Sequence, residues 1–234
     1  MASNSEITFG ARLNNASTLS THLKSFKDYA PPKAEQSAAN LDAVIENIKT
    51  QNSSTAGNKQ VYTLAVDRRQ KLFTKDPDSL VKLMSPLGAA VRSAFSKTSK
   101  EAAAIAAIIA KIHGEKIKKD KAEPNADSVS RSEKSYGSLT QQFSNIIATL
   151  QNFGGNYKPA NKSITIAALN TKLQQLTQAN TDVAAAYGIY IESTDERAVL
   201  YKSLTDLTQG IKDAVKSQYG LNSTEYKLVK SLKV

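Results

Sequence analysis

IAALNTKLQQLTQANTDVAAAYGIYIESTDERAVLYKSLTDLTQGIKDAV, Ile166–Val215, decides the fold class. Ile166, Leu169, Leu173, Leu176, Val183, Tyr187, Tyr190, Tyr201, Leu204, Ile211 and Val215 lie on one register of alternating steps of three and four. The remaining places of that register hold Asn180, Thr194, Arg197 and Thr208. Such spacing lines one helix face with apolar side chains, as a bundle or coiled-coil seam requires. Strand-like alternation is confined to SITI at Ser163–Ile166, which is too short to define a strand. The expected fold class is all-α.

Working outward, the stretch belongs to the second of two copies of one pattern. SEITFG at Ser5–Gly10 returns as SEKSYG at Ser132–Gly137, and LKSF at Leu23–Phe26 returns as LQNF at Leu150–Phe153. DRRQKLF at Asp67–Phe73 returns as DERAVLY at Asp195–Tyr201, and AVRSAF at Ala90–Phe95 returns as AVKSQY at Ala214–Tyr219. The offset is 127 at the start, 128 from Tyr29/Tyr157 and 124 after Phe73/Tyr201. The reading is two tandem pseudo-equivalent helical repeats, residues 5–113 and 132–234, each of about five helices and forming elongated or paired bundles. Gly114–Arg131, rich in charge and Ser and containing Pro124, reads as a charged, solvated linker.

The expected helices cover roughly 6–27, 33–52 and 55–74 in the first copy, and 133–154, 161–179 and 182–202 in the second. Asp76 followed by Pro77 reads as a cap and first helical position for the fourth helix of the first copy. The second copy lacks those residues, so its third and fourth helices can run on as one rod. Pro86 and Gly210 occupy one aligned position and suggest a kink or break. Thr98 with Glu101, and Asn222 with Glu225, read as capping boxes for the last helix, and Gly220 suits the helix end before it. The Ala/Ile-rich EAAAIAAIIAKIH at Glu101–His113 is expected to be buried on most faces.

The composition removes several chemistries. There is no Cys, so disulfides, thiol catalysis and Cys-ligated metal are excluded. His22 and His113 are the only histidines; neither has a Glu three residues before it, and neither recurs between copies. Metal sites and Ser–His catalysis therefore lack material, no glycine-rich phosphate loop exists, and neither enzyme activity nor a cofactor is expected. The N-terminus has no secretory pattern and the longest apolar run, Ala102–Ala110, is far short of a membrane span, so a cytoplasmic location is expected.

The net charge is +10, distributed as +6 over residues 1–113, +1 over 114–135 and +3 over 136–234. Lys greatly outnumbers Arg, which fits diffuse attraction to polyanions and solubility rather than base readout. Lys116, Lys118, Lys119 and Lys121, and the terminal stripe Lys227, Lys230 and Lys233, are the candidate phosphate contacts. Asp67/Arg69 and Asp195/Arg197 are the polar pairs that the repeat keeps. They are candidates for a partner contact or for fixing helix register, the latter favoured. Tyr29/Tyr157, Tyr62/Tyr190 and Phe95/Tyr219 recur as aromatics and are expected in the core.

The tandem S-E-x-x-aromatic-G starts and the AV-basic-S-x-aromatic turns resemble those of uncharacterised basic two-repeat helical proteins of Bacteroidota. The resemblance covers nearly the whole chain and implies no activity, cofactor or site. The functional expectation is a non-enzymatic structural or interaction protein whose duplicated helical surfaces bind a protein partner or assemble into homo-oligomers. The alternative is an accessory protein that binds nucleic acid through phosphates without sequence specificity. No small-molecule substrate is evident, and a membrane-active role would rest on Ala102–Ile112 alone.

Overall fold

The computed structural model describes residues 8–114 and 134–234, and among them the chain is helical with no strand. Its helices are α1 (Phe9–Ser25), α2 (Ala38–Gln70), α3 (Leu80–Phe95), α4 (Lys100–His113), α5 (Tyr136–Asn152), α6 (Ile166–Tyr219) and α7 (Thr224–Val229). One π-helical turn, Lys71–Lys75, extends α2, and short 3-10 turns occupy Ala34–Gln36, Gly154–Asn156 and Lys162–Ile164. The SITI segment is therefore a tight turn leading into α6. The Thr165 hydroxyl there accepts from the Ala168 amide at 3.3 Å.

The helices are fewer and longer than expected. The second and third of the first copy are one 33-residue helix; in the second copy the third and fourth run on as one rod, as expected, and the second joins them to make one 54-residue helix. Gly57 and Gly188 lie inside these rods without breaking them. A single helical glycine costs only about 1 kcal/mol, which tertiary burial on either side outweighs. Pro86 also leaves α3 continuous, and Gly210 leaves α6 continuous.

Three caps fall elsewhere than expected. The α3 N-cap is Ser79; Asp76 instead closes the π turn, its amide donating to the Lys71 carbonyl. The α4 N-cap is Ser99, whose hydroxyl accepts from the Ala102 amide at 3.1 Å. Ser223 does the same for the Tyr226 amide at 3.1 Å in front of α7. A serine one position downstream of Thr98 or Asn222 reaches the same orphan amides and starts each helix one residue later. Gly220 ends α6 with φ +95, as a helix terminus asks of glycine.

The chain divides into two compact units: one comprises Met1–Gln60 with Tyr187–Val234, the other Val61–Ala186. Each unit thus takes chain from both sequence copies, and the divisions fall inside α2 and α6. The discontinuous unit has a core of Ala16, Leu19 and Leu23 from α1 and Leu41, Ile45 and Ile48 from α2. These pack with Tyr201, Leu204, Ile211 and Val215 from α6 and Val229 from α7. The contiguous unit is built around Phe73, Leu80, Met84, Leu87, Val91, Ile105, Phe143, Ile146, Leu150, Leu169 and Leu176. Here α3 and α4 approach closely at Gly88, where a Cβ would stand 3.2 Å from Ile109 Cδ1.

The α6 seam follows the expected register from Tyr201 to Val215, where Tyr201, Leu204, Thr208, Ile211 and Val215 are all buried. Between Leu169 and Ala186 the face has moved: Lys172, Ala179 and Ala186 are buried, whereas Tyr187 is 50 % exposed. The expected register still holds Leu169, Leu176 and Val183 in the core, and Tyr187 is the residue at which α6 passes from one compact unit to the other. On α4, Ala102, Ile105 and Ile112 are buried but Ala103, Ala104, Ala106 and Ala107 are exposed, so one face only is covered. The expected linker lies outside the described residues except for Gly114, the left-handed cap of α4.

Candidate interaction surfaces

Arg69 and Arg197 each lie over an aromatic ring at the first residue of a helix. The Arg69 guanidinium carbon is 4.1 Å from the Tyr136 ring centre at the start of α5, and that of Arg197 is 4.6 Å from the Phe9 ring centre at the start of α1. A second aromatic packs against each ring: Phe73 lies 4.8 Å from Tyr136, edge-on, and Tyr201 lies 4.5 Å from Phe9, tilted. A planar guanidinium on a ring face gains the quadrupole attraction while its apolar stem packs on the helix. The Nε atoms of both arginines are buried without a hydrogen-bond partner among the described residues.

The aspartates of the two motifs point elsewhere. Residues two apart on a helix do not face each other. Asp67 pairs with Lys71 at 2.7 Å and Lys75 at 3.5 Å, on the same turn region, and Lys71 holds its carboxyl below the usual carboxylate range. Asp195 is exposed. The structure therefore brings each arginine to an aromatic pair and leaves the aspartates on the surface.

Of the candidate lysines, Lys116, Lys118, Lys119 and Lys121 lie outside the described residues. Lys227, Lys230 and Lys233 are exposed. Lys230 and Lys233 line one open groove with Lys212, Asn14 and Asn15. The Lys212 ammonium donates to the Leu232 carbonyl, and its burial pushes its pKa down. Asn15 donates to the Lys233 carbonyl at 2.8 Å, which ties the chain end to α1. Among the described residues no group of three or more acidic or histidine side chains could hold a metal ion, and no helix is long and apolar enough to cross a membrane.

The recurring tyrosines split by position. Tyr157 is buried, and its hydroxyl donates to the Ile164 carbonyl at 2.8 Å. The half-buried Tyr29 donates to the Gln36 carbonyl at 3.1 Å. Burial pushes both hydroxyls up to about 12, with the nearby Tyr219 hydroxyl adding to the effect at Tyr29. Phe95 packs on Phe153 at 4.9 Å, and Tyr219 on Phe26 at 5.8 Å.

Two further features were not singled out in the sequence. Lys172 is only 8 % exposed and meets Asp78 at 2.8 Å, which holds the Asp78 carboxyl below its usual range. Its seam neighbours Leu169 and Leu176 are the signal for it in the sequence. Val61, 57 % exposed on α2, and Ile189, 54 % exposed on α6, stand at equivalent positions of the 128-residue offset. Their place beside Tyr62 and Tyr190 in the repeat was the available signal. No family model, no curated protein and no solved structure matches the chain.

Proposed function

We propose that the chain is a structural or interaction protein, not an enzyme, whose duplicated helical surfaces bind further copies of itself or a protein partner. The observation that carries this reading is the pair Val61 and Ile189, equivalent aliphatic side chains left in solvent once in each compact unit. Single exposed aliphatics are ordinary. Here Leu64 is 57 % exposed one turn from Val61, and Tyr187 and Ile191, one turn apart on a different face of α6 from Ile189, are 50 % and 38 % exposed. Kept apolar exposure of this kind marks interaction surfaces.

A two-repeat origin supports the same reading. The stacks Arg69–Tyr136–Phe73 and Arg197–Phe9–Tyr201 are related by the sequence offset. So are the Tyr29 and Tyr157 hydrogen bonds, the Ser99 and Ser223 caps, and the aromatic contacts Phe95–Phe153 and Phe26–Tyr219. Two similar surfaces on one chain permit bivalent capture or head-to-tail assembly.

The test is the double variant Val61→Asp with Ile189→Asp, compared with the unaltered chain by light scattering and circular dichroism. Self-association should weaken by about tenfold or more while helix content stays unchanged, because central apolar contacts dominate association energy. Unchanged association in the double variant would remove these surfaces from the account. A second reading, phosphate binding, draws on Lys212, Lys230 and Lys233 around one groove. It predicts retention on DNA or RNA that collapses with added salt; no retention at low salt rejects it.

A further inference from the structure

Val61 and Ile189 each begin a helix face whose charge is reversed between the two copies. On α2 and the π turn that extends it, Val61, Leu64, Arg68 and Lys71 follow steps of three and four, so they share one side of the helix. The residues equivalent by the 128-residue offset are Ile189, Glu192, Glu196 and Val199 on α6. All eight are exposed, Val199 at 64 % the most exposed of the aliphatics. Arg68 thus stands where the second copy has Glu196, while an aliphatic is kept at the first place. The reversal extends beyond that position. Residues 61–73 carry Arg68, Arg69 and Lys71 against Asp67, whereas residues 189–201 carry Glu192, Asp195 and Glu196 against Arg197. One stretch has an excess of two basic charges and the other an excess of two acidic ones, and each lies within one compact unit.

The partners these groups have within the chain leave them in solvent. Arg68 meets Asp182 at 3.5 Å and Lys71 meets Asp67 at 2.7 Å, with both basic side chains more than half exposed. Glu196 accepts from Gln51 at 2.9 Å. Exposed pairs of this kind hold their partners weakly. We propose that the face Val61, Leu64, Arg68 and Lys71 of one molecule docks on the face Ile189, Glu192, Glu196 and Val199 of a second copy of this chain. The aliphatics exclude water, and Arg68 and Lys71 meet Glu192 and Glu196. The charges select this occupant, because each molecule carries one face of each sign and offers what another copy lacks. Two like faces would set like charges against each other, which works against that pairing. The proposal rests on the self-association proposed above and adds which face meets which.

The experiment uses full-length charge-reversed chains. One carries Arg68→Glu and Lys71→Glu, so that both of its faces are acidic. The other carries Glu192→Lys and Glu196→Lys, so that both are basic. A third carries all four changes. Mass is read by sedimentation up to about 1 mM, where weak association shows, and circular dichroism reads helix content. Each two-fold reversed chain alone should associate about tenfold or more weakly than the unaltered chain. The equal mixture of the two, and the chain with all four changes, should recover association. Raising salt from about 0.1 M to about 1 M shortens the screening length from about 10 Å to about 3 Å and should weaken association of the unaltered chain.

Association that survives every charge reversal overturns the pairing of unlike faces and leaves contact through Val61 and Ile189 standing. Loss in both reversed chains, with recovery in neither the mixture nor the chain with all four changes, overturns it as well. If a reversal lowers helix content, the salt series on the unaltered chain decides, and association that salt does not weaken overturns the proposal. An unaltered chain that stays at 25.3 kDa throughout overturns the second copy as occupant, and the proposed self-association with it.

Discussion

Ser96 follows α3 with φ 76 and ψ 157, a backbone region that a side chain occupies at a cost of about 1–3 kcal/mol. Its partner in the repeat is Gly220, with φ +95 after α6. Ser96→Gly should therefore raise stability by about 1 kcal/mol, seen as a higher urea midpoint with an unchanged slope; a lower midpoint would show that the Ser96 side chain holds the turn. Tyr157 makes a second argument at this scale. Its folded pKa of about 12 lies above the usual value of 10.0 for the unfolded chain. The neutral hydroxyl is thus favoured by folding, and its contribution is complete below pH 10 and fades as pH rises towards 12. Tyr29 adds to the same window. Tyr157→Phe should cost about 1 kcal/mol at neutral pH through its lost hydrogen bond and flatten the fall in stability between pH 10 and 12; an unchanged alkaline slope would contradict the assignment.

At the scale of elements, helix starts depend on which hydroxyl reaches the orphan amides. Ser99→Ala and Ser223→Ala should each cost about 1 kcal/mol, while Thr98→Ala and Asn222→Ala should be close to neutral, as measured by urea unfolding. The reverse order would restore the upstream caps. The sequence shows that a capping segment is present, because T-S-x-E and N-S-x-E each hold two candidates. Which of two adjacent polar side chains caps follows from where the helix starts above the buried Ile105 or Val229. The fusion of expected helices has the same origin. Gly57, Gly188, Pro86 and Gly210 weaken helix locally, but the buried faces on either side of them hold the rods continuous. Helical spacing in Tyr201–Val215 was legible because the pattern there coincides with the buried face. It fails at Tyr187, where α6 passes between the two compact units, because spacing along a chain does not show where the covered face changes.

At the scale of the molecule, the sequence copies and the compact units are different divisions of the chain: each unit combines segments from residues 5–113 and 132–234. Spacing along a chain reports helix faces but not which face finds which, so this pairing was out of reach of the sequence. Arg197 is legible as a seam residue and Arg69 as its counterpart in the repeated motif, yet their aromatic partners Tyr136 and Phe9 come from the opposite copy. The exposed pair Val61 and Ile189 was hidden for another reason: an aliphatic on a long helix reads as core until its neighbours are known.

The most direct test is the mass of the unaltered protein in solution by sedimentation or light scattering, from about 1 μM to about 1 mM, the span from specific to weak association. The mass should rise above 25.3 kDa with concentration, and should stay at 25.3 kDa throughout for the Val61→Asp, Ile189→Asp variant kept in its native state. An unaltered chain that remains at 25.3 kDa over the whole range would contradict self-association through the duplicated surfaces.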